Sequence, residues 1–258
     1  MGRPTQETWN RMLGRLQEIW TMADPAPFEL ELKRIEVLAR DHRKYVPVRA
    51  YYLLGLIAAL KHNPEMVKSA FKNALVHSSQ DDDVQGGYAA CLARLGHYSE
   101  SRLIYKSLFK NNPKDLDYLA QLITTTLASG RIQEAMTWIE YWSRLSPRKP
   151  FDAAAKVAKK CQFLQKNGIS DDAVEALRQH ACQILEREGK SIKVIQYLGH
   201  PEHDPTYISA DLVLDEPEEV VEVLNNKLKG SLAKAPTPPK IGELIVFGFT
   251  TDKQAHQS

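Results

Sequence analysis

Residues 200–204 are the only group in the sequence whose side-chain types and spacing resemble a metal site. His200 and His203 are three residues apart, and two carboxylates lie in the same segment. Imidazole nitrogens and carboxylate oxygens are ligands that zinc uses in proteins. However, prolines bound the segment, and no further histidine or cysteine with ligand spacing stands close in sequence. We therefore interpret it as a solvated turn and predict neither a metal nor any other cofactor.

Three consecutive carboxylates, Asp81 to Asp83, form a second arrangement that would attract a cation. They stand where we predict a helix to begin, near residue 82. Acidic side chains at that place accept hydrogen bonds from the free N–H groups of the first turn and complement the helix dipole. Helix capping therefore accounts for these residues without a ligand.

Motifs that support catalysis or nucleotide binding are missing from the sequence. It contains no glycine-rich phosphate loop, no dinucleotide-binding fingerprint and no serine nucleophile elbow. The three cysteines, Cys91, Cys161 and Cys182, form no C-x-x-C pair and stand among apolar or helix-forming neighbours. We predict that they are buried reduced thiols and that the protein is not an enzyme.

The charge of the chain is close to balanced. Lys+Arg number 34 and Asp+Glu number 32, a formal net charge of +2. So small an excess gives no general attraction to nucleic acid or to an acidic membrane, and we predict neither partner. Local basic groups occur at 33–34, 40, 43–44, 148–149, 156 and 159–160. We interpret them as solvated helix faces, and the alternative is a basic edge that recognises an acidic partner.

The hydropathy pattern favours a cytoplasmic protein. Residues 1–18 are polar and contain no apolar run of signal-peptide length. No segment of the sequence approaches the length of apolar residues that a bilayer crossing requires. We therefore expect a cytoplasmic location.

Several residue types recur at intervals of 34 positions. Gly96 and Gly130 are 34 apart, and so are Pro113 and Pro147. A small residue recurs at Val67, Ser101 and Ala135, and a large one at Phe71, Tyr105 and Ile139. The large residue follows the small one by four positions, which places both on one helical face. Each 34-residue unit is therefore predicted to be a pair of antiparallel helices.

Glycine and proline mark the ends of these helices. We predict first helices over 48–61, 82–95 and 116–129, and second helices over 64–77, 98–111 and 132–145. Gly96 and Gly130 end first helices in the left-handed conformation that glycine adopts without steric cost. His62-Asn63-Pro64 takes that place in the first unit, and Pro113 and Pro147 end second helices.

This pattern resembles the tetratricopeptide repeat family, with its consensus W-x2-L-G-x2-Y, then A-x3-F, then P. The first repeat reads Tyr51-x2-Leu54-Gly55-x2-Ala58 and Val67-x3-Phe71, with Ser79 in place of the proline. The second reads Gln85-x2-Tyr88-Ala89-x2-Leu92, Ser101-x3-Tyr105 and Pro113. The third reads Leu119-x2-Leu122-Ile123-x2-Thr126, Ala135-x3-Ile139 and Pro147. The resemblance covers residues 48–147 and implies a mainly α fold, a short right-handed α-solenoid of antiparallel helix pairs.

Further elements flank the repeats on both sides. We predict an N-terminal cap at 1–47, three repeats at 48–149, a degenerate fourth pair at 150–189, a small α/β appendage at 190–250 and a disordered tail at 251–258. The cap contains an amphipathic helix from Trp9 to Trp20 and a second helix from Phe28 to Arg43. The inner face of the second is assigned to Leu30, Ile35, Leu38 and Ala39. The fourth pair is predicted at 151–167 and 171–188, with Gly168 at the turn.

The appendage is predicted to be a β-β-α-β element. Strands are placed at 192–198, 207–214 and 241–249, where β-branched residues run or alternate. A helix begins at Asp215-Glu216-Pro217, an acidic cap followed by proline, and ends near Gly230. Because about 60 residues are few for an independent core, we expect this element to dock on the last helices.

The resemblance also implies which residues face a partner, because the first helices of the family line a concave groove. The groove positions in this chain are Arg49, Tyr52, Leu53, Leu56, Leu60, Asp83, Arg94, Asp117, Gln121 and Thr124. Some family members bind a C-terminal carboxylate with Lys and Asn at such positions. Here Tyr52, Leu56 and Gly87 occupy the corresponding places, which argues against a carboxylate clamp.

The groove of the first repeat is apolar, so something is expected to cover it. One occupant is the chain itself, through the Trp9–Trp20 helix or the C-terminal appendage. The other is a helix or extended peptide of a partner protein, buried against Tyr52, Leu53, Leu56 and Leu60. The sequence does not decide between them.

These observations favour a non-enzymatic scaffold or adaptor that binds another protein in the groove. The first alternative is a dedicated neutraliser of bacterial type, such as an immunity protein, an antitoxin or a secretion chaperone. The second is that the C-terminal α/β element is a metal or enzyme module that the repeats support. Self-association stays open at this point, since two copies of the Trp9–Trp20 helix could form a homodimer instead of each folding back on its own chain.

Overall fold

The computed structural model describes residues 5–22, 25–190, 192–196, 208–232 and 244–251. By its internal contacts the chain divides into two compact units, 1–111 and 112–258, and the division falls between the second and third predicted repeats. The predicted fold class is confirmed, because helices that follow one another in sequence pack together and a small sheet lies near the C-terminal end.

Helices account for most of the described part of the first unit. They are α1 (Gln6–Trp20), α2 (Glu29–His42), α3 (Pro47–Leu60), α4 (Pro64–His77), α5 (Asp82–Arg94) and α6 (Tyr98–Asn111), with a 3-10 turn at Ala26–Phe28. Each helix from α2 to α6 contacts the next, and α3 also contacts α1 and α5. α3 therefore lies at the centre of this unit.

The second unit combines helices with strands. Its helices are α7 (Leu116–Ala128), α8 (Ile132–Leu145), α9 (Ala154–Lys166), α10 (Asp171–Arg187) and α11 (Glu218–Leu232), and its strands are β1 (Ile192–Gln196), β2 (Ile208–Leu214) and β3 (Ile245–Thr251). The predicted second helices 64–77, 98–111 and 132–145 coincide with α4, α6 and α8, and the predicted first helices agree within one residue.

Left-handed residues end the first helix of each pair. Gly96 has φ 82° and Gly130 has φ 91°, as predicted, and His62 takes the equivalent place with φ 50°. The next backbone N–H then bonds to the carbonyl five residues earlier, for example His97 N to Leu92 O at 2.9 Å. This bond satisfies a carbonyl of the last turn. His62 adopts this conformation with a side chain, which costs free energy that glycine avoids.

The small and large positions meet inside the helix pairs, as their spacing predicts. Val67, Ser101 and Ala135 are buried, and so are Phe71, Tyr105 and Ile139. In the first pair the ring of Phe71 lies directly over Gly55, where a Cβ atom would be 2.4 Å from a ring carbon. Gly55 thus permits the close approach of α3 and α4.

The inner face of α2 differs from the prediction at one residue. Leu32, Ile35 and Ala39 are buried, whereas Leu30 is 79% exposed. Leu32, Ile35 and Ala39 follow helical spacing and form one stripe, and Leu30 points about 200° away from Leu32 at 100° per residue. The assignment of Leu30 to the core was therefore wrong.

Charged side chains join the two predicted pairs of the second unit. The Asp171 carboxylate accepts hydrogen bonds from the backbone N–H groups of Gln133 and Glu134, at 2.9 and 2.8 Å. It thereby caps the N-terminus of α8 from the neighbouring helix α10. The Arg131 guanidinium pairs with Asp172 and Glu175 of α10 as well.

The three strands form one sheet in the order β1-β2-β3, and the β-β-α-β prediction is confirmed. β2 is antiparallel to β1 and parallel to β3. α10 contacts both α11 and β3, which is the docking that the small size of this segment predicts. Thr251, assigned to the disordered tail, is instead the last residue of β3, while 252–258 and the His200 group lie outside the described residues.

The outer edge of β3 is occupied by a side chain of α11. Asn225 donates to the carbonyl of Phe249 at 2.9 Å and accepts from its N–H at 2.8 Å. The amide thus takes the place of a neighbouring strand at this residue, which blocks pairing with another chain there.

Candidate binding faces of the first helices

The structure distributes the ten predicted groove residues over three helices and both units. Arg49, Tyr52, Leu53, Leu56 and Leu60 lie on α3, Asp83 and Arg94 on α5, and Asp117, Gln121 and Thr124 on α7. The first seven belong to the first unit and the last three to the second. The two sets are therefore considered separately.

The apolar groove residues of α3 are buried by the chain itself. Leu53, Leu56 and Leu60 are 3%, 8% and 1% exposed. They share one hydrophobic core with residues of α1, namely Trp9, Met12, Leu16 and Ile19. Of the occupants that the sequence left open, the N-terminal helix is the one that contacts α3 and shares this core.

The sequence of α1 explains why it packs there. Its buried residues are spaced at three, four and three positions, which makes a continuous apolar stripe along one side. Thr5 caps the helix by accepting from the N–H of Thr8 at 3.2 Å. The same stripe is the face through which two copies could have dimerised, and here it is buried within one chain.

Two predicted groove residues hold α1 in place. The Arg94 guanidinium donates to the carbonyl of Trp20 at 3.0 Å, and it lies over the Trp20 ring at 4.7 Å from the centroid. Arg49 donates to the side-chain oxygen of Gln6 near the start of α1. A cation over an indole ring and a bond to a C-terminal carbonyl are both favourable for a helix end.

Tyr52 fills the space between α3 and α5. A Cβ atom at Gly87 would lie 2.4 Å from the Tyr52 ring, so the missing side chain at Gly87 admits it. The ring also meets Phe71 edge to face, with centroids 5.7 Å apart. Burial raises the pKa of Tyr52 to about 12. Close packing accounts for Gly87.

The acidic segment before α5 acts as a helix cap, as predicted. The Asp81 carboxylate accepts from the N–H groups of Asp83 and Val84, both at 3.1 Å. Asp83 itself is exposed. Within the described ranges, no three His, Cys, Asp or Glu side chains are grouped so that they could hold a metal ion.

The groove positions of α7 form an exposed polar face. Asp117, Gln121 and Thr124 are all exposed, and their spacing of four and three places them in one row. On the other side of the helix, Leu119, Leu122 and Ile123 are fully buried. This burial fixes the orientation of α7 and points the polar row to solvent.

The cysteines depart in one case from the prediction of buried thiols. Cys91 and Cys161 are buried, but Cys182 is only partly so. Burial raises the pKa of the Cys91 thiol far above its ordinary value, which keeps it protonated. Burial of Cys91 and Cys161 is typical of cysteines that pack in a core.

No protein-family model, no curated protein and no solved structure matches this chain. Among the helices of the described segments, none combines the length and apolar character that crossing a membrane would take.

Proposed function

We propose that the protein is a non-enzymatic scaffold of the tetratricopeptide type, which binds a helix or extended peptide of another protein on the exposed face of α7. The face consists of Asp117, Gln121 and Thr124. The proposal is supported by the packing of α1 against α3. α1 is an example, within the same chain, of an amphipathic helix that packs against a first helix and shares its core.

The proposal changes the surface that the sequence pattern favoured. Leu53, Leu56 and Leu60 are buried in a core to which α1 contributes four buried side chains, so a partner would have to open that core to reach them. The row on α7 needs no such opening, because its side chains are already exposed. Its polar character favours a partner that presents hydrogen-bonding groups as well as apolar ones.

The test is a matched pair of substitutions on neighbouring helices. Gln121→Arg adds a large cation to the α7 face, and Thr137→Arg adds the same side chain to an exposed position of α8. A partner captured with the wild type and then purified would be titrated against each variant by calorimetry. We expect Gln121→Arg to weaken binding by about tenfold or more, since central contacts carry most of the affinity.

Thr137→Arg should bind as the wild type does, and both variants should retain wild-type circular dichroism. Equal affinity of the wild type and both variants would refute the α7 face as the binding site. A captured partner that binds Gln121→Arg normally but loses affinity for a variant of α3 would instead return the site to the first repeat.

A further inference from the structure

The outward side of α2 carries a basic and apolar stripe, defined as Leu30, Lys33, Arg34 and Val37. Their spacing of three, one and three positions places them on one helical face. All four are exposed, Leu30 at 79% and Val37 at 50%. Two large apolar side chains thus stand in solvent on either side of two cations.

The cations of this stripe are available for a partner. Of the carboxylates near them on the helix, Glu36 pairs with Arg40 and Lys61, and Glu31 pairs with Arg15. Neither Lys33 nor Arg34 forms an ion pair with another residue of the described segments. Within the described segments, Lys33 and Arg34 are therefore not neutralised by carboxylates of their own helix.

An acidic stripe with the same spacing lies on α11, defined as Glu219, Glu222, Val223 and Asn226. All four are exposed, Val223 at 53%. On the inner side of the helix, Val221, Leu224 and Leu228 are buried, and this fixes the acidic stripe toward solvent. Glu219 and Glu222 also form no ion pair within the described segments.

We propose that the basic stripe of one copy binds the acidic stripe of a second copy. The two stripes carry opposite charges, two on each, and each stripe also exposes at least one aliphatic side chain. Pairing would bury Leu30, Val37 and Val223 and would bring Lys33 and Arg34 against Glu219 and Glu222. Exposed ion pairs contribute little individually, so the association is weak, reversible and screened by salt.

The contact joins two different surfaces, so it is heterologous. Repeated copies either close into a ring or extend into an open chain, and both forms grow with protein concentration. The proposal is independent of the α7 face, because it uses other residues. A chain that stays monomeric but binds a partner at Gln121 would refute this inference and leave the proposed function intact.

The test is a charge-swap experiment read by sedimentation velocity on the full chain. One variant carries Lys33→Glu and Arg34→Glu, so that both of its stripes are acidic. The other carries Glu219→Lys and Glu222→Lys, so that both of its stripes are basic. We expect the wild type to associate as concentration rises, and each variant alone to associate at least about tenfold more weakly because like charges face each other.

An equimolar mixture of the two variants should recover association, since acidic stripes then meet basic ones. Lys156→Glu with Lys159→Glu is the matched control, because both lysines are exposed and three positions apart on α9. It should associate as the wild type does.

Three results would overturn the proposal. The first is a wild type that remains monomeric at every concentration and at low salt. The second is a control that loses association as far as the stripe variants do. The third is an equimolar mixture of the two stripe variants that fails to associate. A wild type that binds phosphatidylserine vesicles through the basic stripe while it stays monomeric is a case of the first result.

Discussion

Replacing Gly55 with alanine would place a methyl group against the ring of Phe71. The new Cβ atom would lie 2.4 to 3.0 Å from three ring carbons, whereas carbon atoms in contact are about 3.5 to 4.0 Å apart. Phe71 is fully buried, stacks on Tyr88 and meets Tyr52 edge to face. The ring therefore has little room to move away.

The expected sign follows from two opposing terms. Alanine in a helix interior is favoured over glycine by about 0.5–1 kcal/mol. Forcing an extra carbon into a packed core costs about 1–3 kcal/mol. We expect the second term to exceed the first, so that Gly55→Ala lowers the free energy of unfolding by about 1–2 kcal/mol.

Gly14 provides the matched control, because it also lies within a helix but a Cβ atom there would meet nothing within 4 Å. Gly14→Ala should raise the free energy of unfolding by about 0.5–1 kcal/mol. Urea unfolding followed by circular dichroism gives both values if the slope with denaturant stays constant. Equal effects of the two substitutions would refute the packing of Phe71 on Gly55.

Three further predictions concern single residues. His62→Gly should stabilise the protein by about 0.5–1 kcal/mol in urea unfolding, because glycine has no Cβ atom to strain the backbone at φ 50°. A loss of stability would contradict this. Asp171→Ala should destabilise it by about 1–2 kcal/mol in the same assay by uncapping α8, and no change would contradict the cap. A hydrogen bond from Lys61 lowers the pKa of Glu36 below its ordinary 4.5. The Lys61–Glu36 hydrogen bond therefore stabilises the fold above pH 4.5, and this stabilisation is lost as pH falls through the lower pKa of Glu36 in the folded state. On acidification the free energy of unfolding should fall more steeply for the wild type than for Glu36→Gln.

Local signals were sufficient to predict most helix ends. Gly96, Gly130 and Gly168 stand at the left-handed turns, and Asp81 caps α5. Each of these features acts within a few residues of its own helix end, so the residues around that end are enough to predict where the helix begins or stops. The same holds for the order of strands and helix after residue 190.

Long-range choices could not be predicted in the same way. Trp9 and Leu16 of α1 join the core of Leu53 and Leu60 only through tertiary packing. A partner's helix would bury those leucines by the same hydrophobic effect. The joint of Arg131 with Asp172 and Glu175 spans 41 and 44 residues of chain. No pattern of spacing marks such a pair.

The side of α2 that faces the core illustrates a third limit. Leu30 and Leu32 are both apolar and stand near the start of the helix, so the first turn alone does not tell which side is inner. The stripe that continues through Ile35 and Ala39 selects Leu32. The exposed apolar residues of α2, Leu30 and Val37, are those that we assign to the proposed contact between copies.

Site-specific photo-crosslinking in the native cell shows whether another protein lies against the exposed face of α7. A benzoylphenylalanine at position 121 would probe the exposed face of α7, and the same residue at position 137 would probe an exposed position of α8 as its match. We expect a discrete protein adduct from position 121 and none from position 137. Adducts of the same protein from both positions, or from position 137 alone, would contradict it.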